Sequence, residues 1–565
     1  VRCRRQQKLP GAFSLSINSI SQPVRRLARP RIGSVTLAIV GAIYLIVFTN
    51  HTFFSRAYAY FDSHLALAAF ALGLTCLFAA FTITISVKYV LKPVLVVMIF
   101  AAASASWFMD GFGTIIDVDM IRNAAQTTPS EAGHLITFAY LRHMALFGLL
   151  PSLLVCWVKV EHRNFFGKVK WNLAAIVPLL LVAIACGVSG ARSIASVTRI
   201  HKDLILTLNP FLPVGSAIAF AMASEADKNI VVEPLGTDAH VAGPLASGKP
   251  RVLVIVTGET ARAENFSLSG YGRETNPELK KRDITYFPET SSCGTSTAVS
   301  VPCMFSNLTR RDYSHRAGLE NENLLDVFGH AGIKTEWWDN NTGSKAVANR
   351  TLYRSFSEAN DPRYCKDHEC LDEGMVDALD DWLSKVKGDS VLVLHQLGSH
   401  GPAYYQRYPA AFARFTPECR TGELGTCSSE TIVNTYDNSI LYTDHILASV
   451  IDVLKAREDK MAPAMIYMSD HGESLGEHGL YLHGAPYIVA PSQQTHVPFV
   501  LWQGAEMKAS VDAGCLSKRA RDEASHDNLF HTALGMMDVK TSAYKSDLDI
   551  LGTCRKEPLS SGASS

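Results

Sequence analysis

Arg251-Val252-Leu253-Val254-Ile255-Val256-Thr257-Gly258-Glu259 is the stretch on which the reading of this chain turns. A continuous aliphatic run, with no polar alternation, is what a strand buried on both faces requires. Similar runs recur at Ser390-Val-Leu-Val-Leu394, Ala464-Met-Ile-Tyr-Met468 and Val497-Pro-Phe-Val-Leu501. Between them, Ile440, Leu447, Val450, Ile451 and Leu454 recur at helical spacing. Strands alternating with helices predict an α/β unit with a mainly parallel sheet covered on both sides.

Toward the N-terminus the pattern changes. Five apolar stretches, near 34–54, 64–87, 91–109, 139–159 and 172–192, are long enough to cross a bilayer, which takes about 20 residues each. The formal net charge of +0 hides an asymmetry: Arg2, Arg4, Arg5, Lys8, Arg25, Arg26, Arg29 and Arg31 precede the first stretch with no acidic residue among them. Lys88 and Lys92 lie between the second and third, and Lys159, Arg163, Lys168 and Lys170 between the fourth and fifth. These basic segments face the cytoplasm. The acidic 110–138 loop, expected to hold short helix at the membrane surface, and everything after about residue 195 then face outward. Four further spans and the lack of a small-residue cleavage pattern make the first stretch an anchor, not a signal peptide. The start at Val1 reads as an alternative codon or a truncation.

Cysteine usage agrees with this topology. Cys293, Cys303, Cys365, Cys370, Cys419, Cys427, Cys515 and Cys554 all lie on the outer side. In an oxidising compartment they read as disulfides between sequence neighbours, 293–303, 365–370, 419–427 and 515–554. Zinc binding by these cysteines is disfavoured, since no C-x-x-C spacing occurs. Residues 209–222, interrupted by Pro210 and Pro213, read as an interfacial helix. A sixth span there would return the cysteines to the cytoplasm.

Ligands of open α/β sheets bind beyond the carboxyl ends of strands. Three of the predicted strands lead to Glu259, to His400, and to Asp470 and His471. Carboxylates and imidazoles at one sheet edge suit a divalent cation, zinc ahead of manganese. Thr297 follows Cys293-Gly-Thr-Ser and is expected to open a helix whose N–H groups face an anion. A bound metal makes its hydroxyl a nucleophile. Singly, Thr297 is a helix cap, His400 a turn residue and His483 a structural histidine; their joint occurrence carries the reading. His445 and His368 read as structural or solvated, and Trp337-Trp338 as core and rim.

The chain closely resembles the lipid A phosphoethanolamine transferases, including the mobile colistin-resistance enzymes, of the alkaline phosphatase and sulfatase superfamily. The stretches that carry the resemblance are Gly258-Glu-Thr-Ala-Arg-Ala263, Asn265-Phe-Ser-Leu-Ser-Gly-Tyr271, Cys293–Cys303, Trp337-Trp-Asp-Asn-Asn341, His400-Gly-Pro-Ala-Tyr404 and Ser469-Asp-His-Gly-Glu-Ser-Leu-Gly476. The resemblance implies an N-terminal all-α five-helix transmembrane domain and a C-terminal α/β periplasmic domain of the alkaline phosphatase/sulfatase kind. It implies zinc ligands at Glu259, Thr297, Asp470 and His471, with Thr297 also the nucleophile. His400 and His483 correspond to residues that bind substrate phosphate, serve as acid or base, or hold a second zinc. Asn341 and Lys345 correspond to residues near the phosphoethanolamine group, and Asn123, Thr127 and Glu131 to residues that bind the donor headgroup.

The expected organisation is a basic cytoplasmic tail at 1–33, a five-span domain at 34–195, an interfacial helix and linker at 196–250, a periplasmic catalytic domain at 251–555 and a disordered tail at 556–565. The expected activity is transfer of phosphoethanolamine from phosphatidylethanolamine to lipid A in the bacterial inner membrane, giving polymyxin resistance. The expected form is a monomer without nucleic-acid partners. A lipopolysaccharide core sugar as acceptor and a membrane-bound phosphodiesterase are the alternatives. Thr297-Ala-Val lacks the Cys/Ser-x-Pro-x-Arg pattern of formylglycine sulfatases. The spans offer few ionisable residues for an ion path, with Arg142 and His143 near one end.

Overall fold

The computed structural model describes residues 28–366 and 368–556. The basic segment up to Leu27 and the C-terminal tail from Glu557 lie outside the described residues. Helices His64–Thr84, Leu91–Phe112, Phe138–Trp157 and Phe165–Ser189 are long and apolar enough to cross a bilayer. The first predicted span is not one straight helix. It is the pair Ser34–Phe48 and His51–Tyr60, bent by 65°. Thr49 and Asn50 cause the break, because their side chains donate to the Leu45 carbonyl in competition with the backbone. Asn50 and Asn209 then satisfy each other: Asn50 Nδ2 donates to the Asn209 carbonyl at 2.8 Å, and Asn209 N–H to Asn50 Oδ1 at 2.9 Å. The Pro210-initiated helix Phe211–Asp227 follows, with Ile218 and Met222 exposed.

The outward loop carries two short helices, α1 (Val118–Gln126), capped by Asp117, and α2 (Pro129–Leu135), capped by Thr128. The sheet beyond has seven strands: β1 (Arg251–Gly258), β2 (Ile284–Phe287), β3 (Lys334–Asp339), β4 (Leu352–Ser355), β5 (Ser390–His395), β6 (Ala462–Ser469) and β7 (Phe499–Gln503). Their order is β2-β7-β6-β1-β5-β3-β4. The five strands from β6 to β4 are parallel, whereas β7 and β2 join antiparallel. The run at Val497–Leu501 is thus displaced to Phe499–Gln503 and reversed in direction. It starts after Pro498, which has no N–H to give to a ladder.

The aliphatic run of β1 is continuous because both faces are covered. Leu253 and Ile255 pack with Phe530 and Leu534 on one side. Val252, Val254 and Val256 pack on the other with Tyr436, Ile440 and Leu447 of helix α4 (Ser429–Lys455). Leu392 of β5 is fully buried in that second layer. Leu392→Ala is expected to cost about 2–5 kcal/mol, read as a lower denaturation midpoint of the full-length protein with its activity at low temperature retained.

Candidate active site

The carboxyl ends of β1, β5 and β6 lie side by side, and their continuations converge. Gly258 is a necessary glycine: a Cβ there would fall 2.4 Å from the Tyr467 ring. Glu259 follows it, fully buried. Thr260 has φ +59°, a conformation that threonine resists. It is held there by Tyr436, whose hydroxyl donates to the Thr260 carbonyl at 2.7 Å and accepts from Arg262 N–H at 3.0 Å. The Thr260 hydroxyl donates to Glu259 Oε1.

Thr297 is the first residue of helix α3 (Thr297–Met304). The Cys293–Cys303 disulfide brackets the start of this helix. Thr297 Oγ1 lies 3.0 Å from Glu259 Oε2 and 3.3 Å from His471 Nε2. His471 Nε2 is also 3.4 Å from Glu259 Oε1 and 3.4 Å from Asp470 Oδ2. The other ring nitrogen, Nδ1, donates to the Gly472 carbonyl at 2.8 Å, which fixes the ring with Nε2 facing the cluster.

Ligand atoms of Glu259, Asp470 and His471 all fall within 4.8 Å of one another. Asp470 Oδ1 accepts from the N–H groups of Thr260 and His471, but Oδ2, fully buried, has no hydrogen-bond partner among the described residues. Burial pushes the Asp470 carboxyl well above the usual range, and the Glu259 charge adds to this. Burial acts against ionised Glu259 too, but the imidazoles of His471, His400 and His483 outweigh it and hold its carboxyl low. Two buried carboxyl groups, an imidazole nitrogen and an orphaned oxygen fit a divalent cation.

His483 and His400 complete the rim. The His483 ring centroid is 4.4 Å from that of His471 and 5.5 Å from that of His400. His400 Nε2 sits 3.3 Å from Oε1 of Glu131, on the membrane-side helix α2. Burial disfavours the charged imidazole, yet the Glu131 carboxylate raises its pKa to about 9. Asn341 Nδ2 donates to Glu259 Oε2 at 2.7 Å and to the Gln396 carbonyl at 2.8 Å. It therefore braces a carboxylate of the cluster. Lys345 is half-buried and donates to the Thr342 carbonyl at 2.8 Å; desolvation lowers its pKa against the pull of Asp339, Glu131, Glu259 and Asp470. Asn123 and Thr127 are joined to each other, the Thr127 hydroxyl donating to the Asn123 carbonyl at 3.0 Å. A cavity of about 640 Å³ opens beside the cluster, lined by Thr128, Glu131, Asn341, Tyr353, Glu358 and His400. Cys365–Cys370, Cys419–Cys427 and Cys515–Cys554 are also paired.

Sequence reasoning passed over Glu473. Its carboxylate is fully buried and accepts from the Tyr404 hydroxyl at 2.8 Å and from His483 Nδ1 at 3.0 Å. Its place three residues after Asp470 was the available signal. Glu473→Gln leaves His483 without its charged orienter, and activity is expected to fall about 10–100-fold, read as kcat on a lipid donor with the fold intact by circular dichroism.

The sequence matches two known families. Residues 74–224 match the family described as phosphoethanolamine transferase EptA/EptB, and residues 251–539 match the sulfatase family. Phosphoethanolamine transferase EptA of Escherichia coli (strain K12) is 38% identical over 544 residues, covering 94% of this chain and 99% of that one. Phosphatidylethanolamine transferase Mcr-1 of Escherichia coli is 37% identical, covering 89% and 95%. Among solved structures, the integral membrane lipooligosaccharide phosphoethanolamine transferase A (EptA) from Neisseria meningitidis superposes with a TM-score of 0.90 at 35% identity, covering 94% of this chain and all of that one.

Proposed function

Because the chain belongs to the phosphoethanolamine transferase EptA family, within the sulfatase superfamily, we propose that it moves phosphoethanolamine from phosphatidylethanolamine to a phosphate of lipid A through an ester on Thr297. It is an integral membrane protein with its catalytic domain in the periplasm. One observation carries the mechanism: a buried helix-N-terminal hydroxyl lies 3.0 Å from Glu259 and 3.3 Å from His471, with Asp470 alongside.

Glu259, Asp470 and His471, joined by Thr297, would hold one zinc ion, whose N/O donor preference they match. When bound, zinc lowers the pKa of a coordinated hydroxyl and offsets charge on phosphate oxygens. Thr297 passes its hydroxyl proton to Glu259 Oε2, 3.0 Å away, and its Oγ forms a bond to the donor phosphorus as the bond from phosphorus to the glycerol oxygen breaks. His400, kept protonated by Glu131, places a proton on that departing oxygen, and diacylglycerol leaves. The N–H groups at the start of α3 and the Lys345 ammonium face the phosphate oxygens. In the second half, a lipid A phosphate oxygen attacks the same phosphorus, and Thr297 Oγ departs. His483, oriented by Glu473, takes the proton of the attacking lipid A phosphate, and the proton held by Glu259 returns to Thr297 Oγ. Glu131, together with Asn123 and Thr127, receives the ethanolamine end of the donor.

The five-span part at 34–195 and the interfacial helix and linker at 196–250 keep both lipids at the depth of the catalytic part at 251–555, which raises their effective concentration. One chain supplies every residue named, so a monomer suffices. Ethanolamine cations added to lipid A reduce its negative charge, and cationic peptides such as polymyxin bind it less well.

The reading is tested with purified protein, fluorescent phosphatidylethanolamine, and lipid A present or withheld. Diacylglycerol release matched by phosphoethanolamine on lipid A is expected. Fast hydrolysis indifferent to lipid A would make the protein a diesterase instead.

A further inference from the structure

Helix α2 (Pro129–Leu135) presents two side chains three residues apart, hence on one face. Glu131 reaches the His400 ring, and His134 has no part in the chemistry above. His134 Nε2 lies 3.0 Å from Glu369 Oε1. The other oxygen of Glu369 accepts from Arg407 Nη1 at 2.9 Å, and Arg407 Nε donates to the His400 carbonyl at 2.8 Å. One carboxylate thus links the membrane-side helix to the cation that holds the backbone of His400. Glu369 sits in the hairpin closed by Cys365–Cys370.

A second disulfide loop, Cys419–Cys427, meets the same histidine from elsewhere. Gly422 in that loop approaches so closely that a Cβ would fall 2.9 Å from the His134 carbonyl oxygen. Two cross-linked loops of the catalytic domain therefore close on one residue of α2.

We propose that His134 is a positioning residue for lipid turnover: clamped by the Cys365–Cys370 and Cys419–Cys427 loops, it docks α2 where Glu131 meets His400. The inference rests on the roles given above to Thr297 and His400. A lipid donor is held by the membrane domain, so its phosphorus reaches Thr297 in register only when α2 is docked. A soluble diester with a good leaving group arrives from solvent and needs no proton from His400. Loss of the clamp separates the two substrates.

The test uses the full-length protein in bilayer discs with two probes, fluorescent phosphatidylethanolamine and p-nitrophenyl phosphoethanolamine. His134→Ala and Gly422→Val are expected to lower kcat/KM on the lipid about tenfold while leaving the soluble probe within about twofold, the scale of one coupling between contacting groups. His134→Gln, which keeps a donor toward Glu369, restores most of the lipid activity. Unchanged lipid turnover in His134→Ala or Gly422→Val, or an equal loss on both probes, overturns the proposal. Thr297→Ala, run alongside and expected to be silent on both probes, reports separately on the nucleophile.

Discussion

Thr297→Ala is expected to remove phosphoethanolamine transfer, lowering kcat on the order of 10⁴-fold or more, as loss of an enzyme's nucleophile does. The expectation does not depend on destabilisation. Thr297 stands inside the first turn of α3, and the residue at the cap position is Ser296. Alanine is the better helix former at that place, so the protein keeps its melting temperature. What disappears is the hydroxyl oxygen that lies 3.0 Å from Glu259 and 3.3 Å from His471. Thr297→Ser keeps that oxygen and loses only a methyl group, so it retains measurable transfer. Mass spectrometry of lipid A from cells carrying each form reads the result: modified lipid A with wild type and Ser, none with Ala. Modification undiminished in the Ala form removes Thr297 from the mechanism.

Asp470→Asn is expected to lower activity about 10³-fold, since a metal ion's stabilisation of transition-state charge is worth several kcal/mol. The substitution is nearly isosteric. The two N–H groups on Oδ1, from Thr260 and His471, keep their acceptor. Oδ2, the buried oxygen with no hydrogen-bond partner among the described residues, is replaced by an amide nitrogen that cannot ligate. The site then has Glu259, His471 and the Thr297 hydroxyl alone. Chelation should bring wild type to the level of the variant and lower its melting temperature, because a ligand that binds only the folded state stabilises it. Zinc added back restores the wild type and not Asp470→Asn. Equal zinc content in both proteins, measured after dialysis, counts against Asp470 as a ligand.

The strands that position this site were legible where burial on both faces forces an unbroken aliphatic run, as in β1, β5 and β6. β3 was hidden by its polar residues. Glu336 interrupts the pattern, yet in the structure its two oxygens accept from the indoles of Trp338 and Trp382 at 2.6 and 2.8 Å. The direction of β7 was not legible either. An apolar run reads the same for parallel and antiparallel pairing, and only the ladder with Met465–Met468 decides it. The bend at Asn50 was missed because the residue that pairs with Asn50 there, Asn209, lies 159 residues away.

The site divides in the same way. Asp470 and His471 follow directly on a strand, and the α/β rule points at strand ends. Glu259 is visible for the same reason. Thr297 becomes visible through its cysteine bracket and the family likeness. The supporting residues carry no local signal. Glu369 lies in a charged hairpin and His134 on a polar helix, and only their 3.0 Å meeting gives either a role. Arg407 reads as one more surface arginine until its bonds to Glu369 and the His400 carbonyl are seen.

The central claim is that a lipid headgroup is esterified to one threonine. Incubating the purified full-length protein with phosphatidylethanolamine, without lipid A, and sequencing its peptides by mass spectrometry tests this most directly. The account predicts a phosphoethanolamine adduct on the peptide spanning Cys293–Cys303, fragmenting to Thr297, that disappears when lipid A is added. An adduct on any other residue, or steady transfer to lipid A with Thr297 unmodified in rapidly quenched samples, contradicts it.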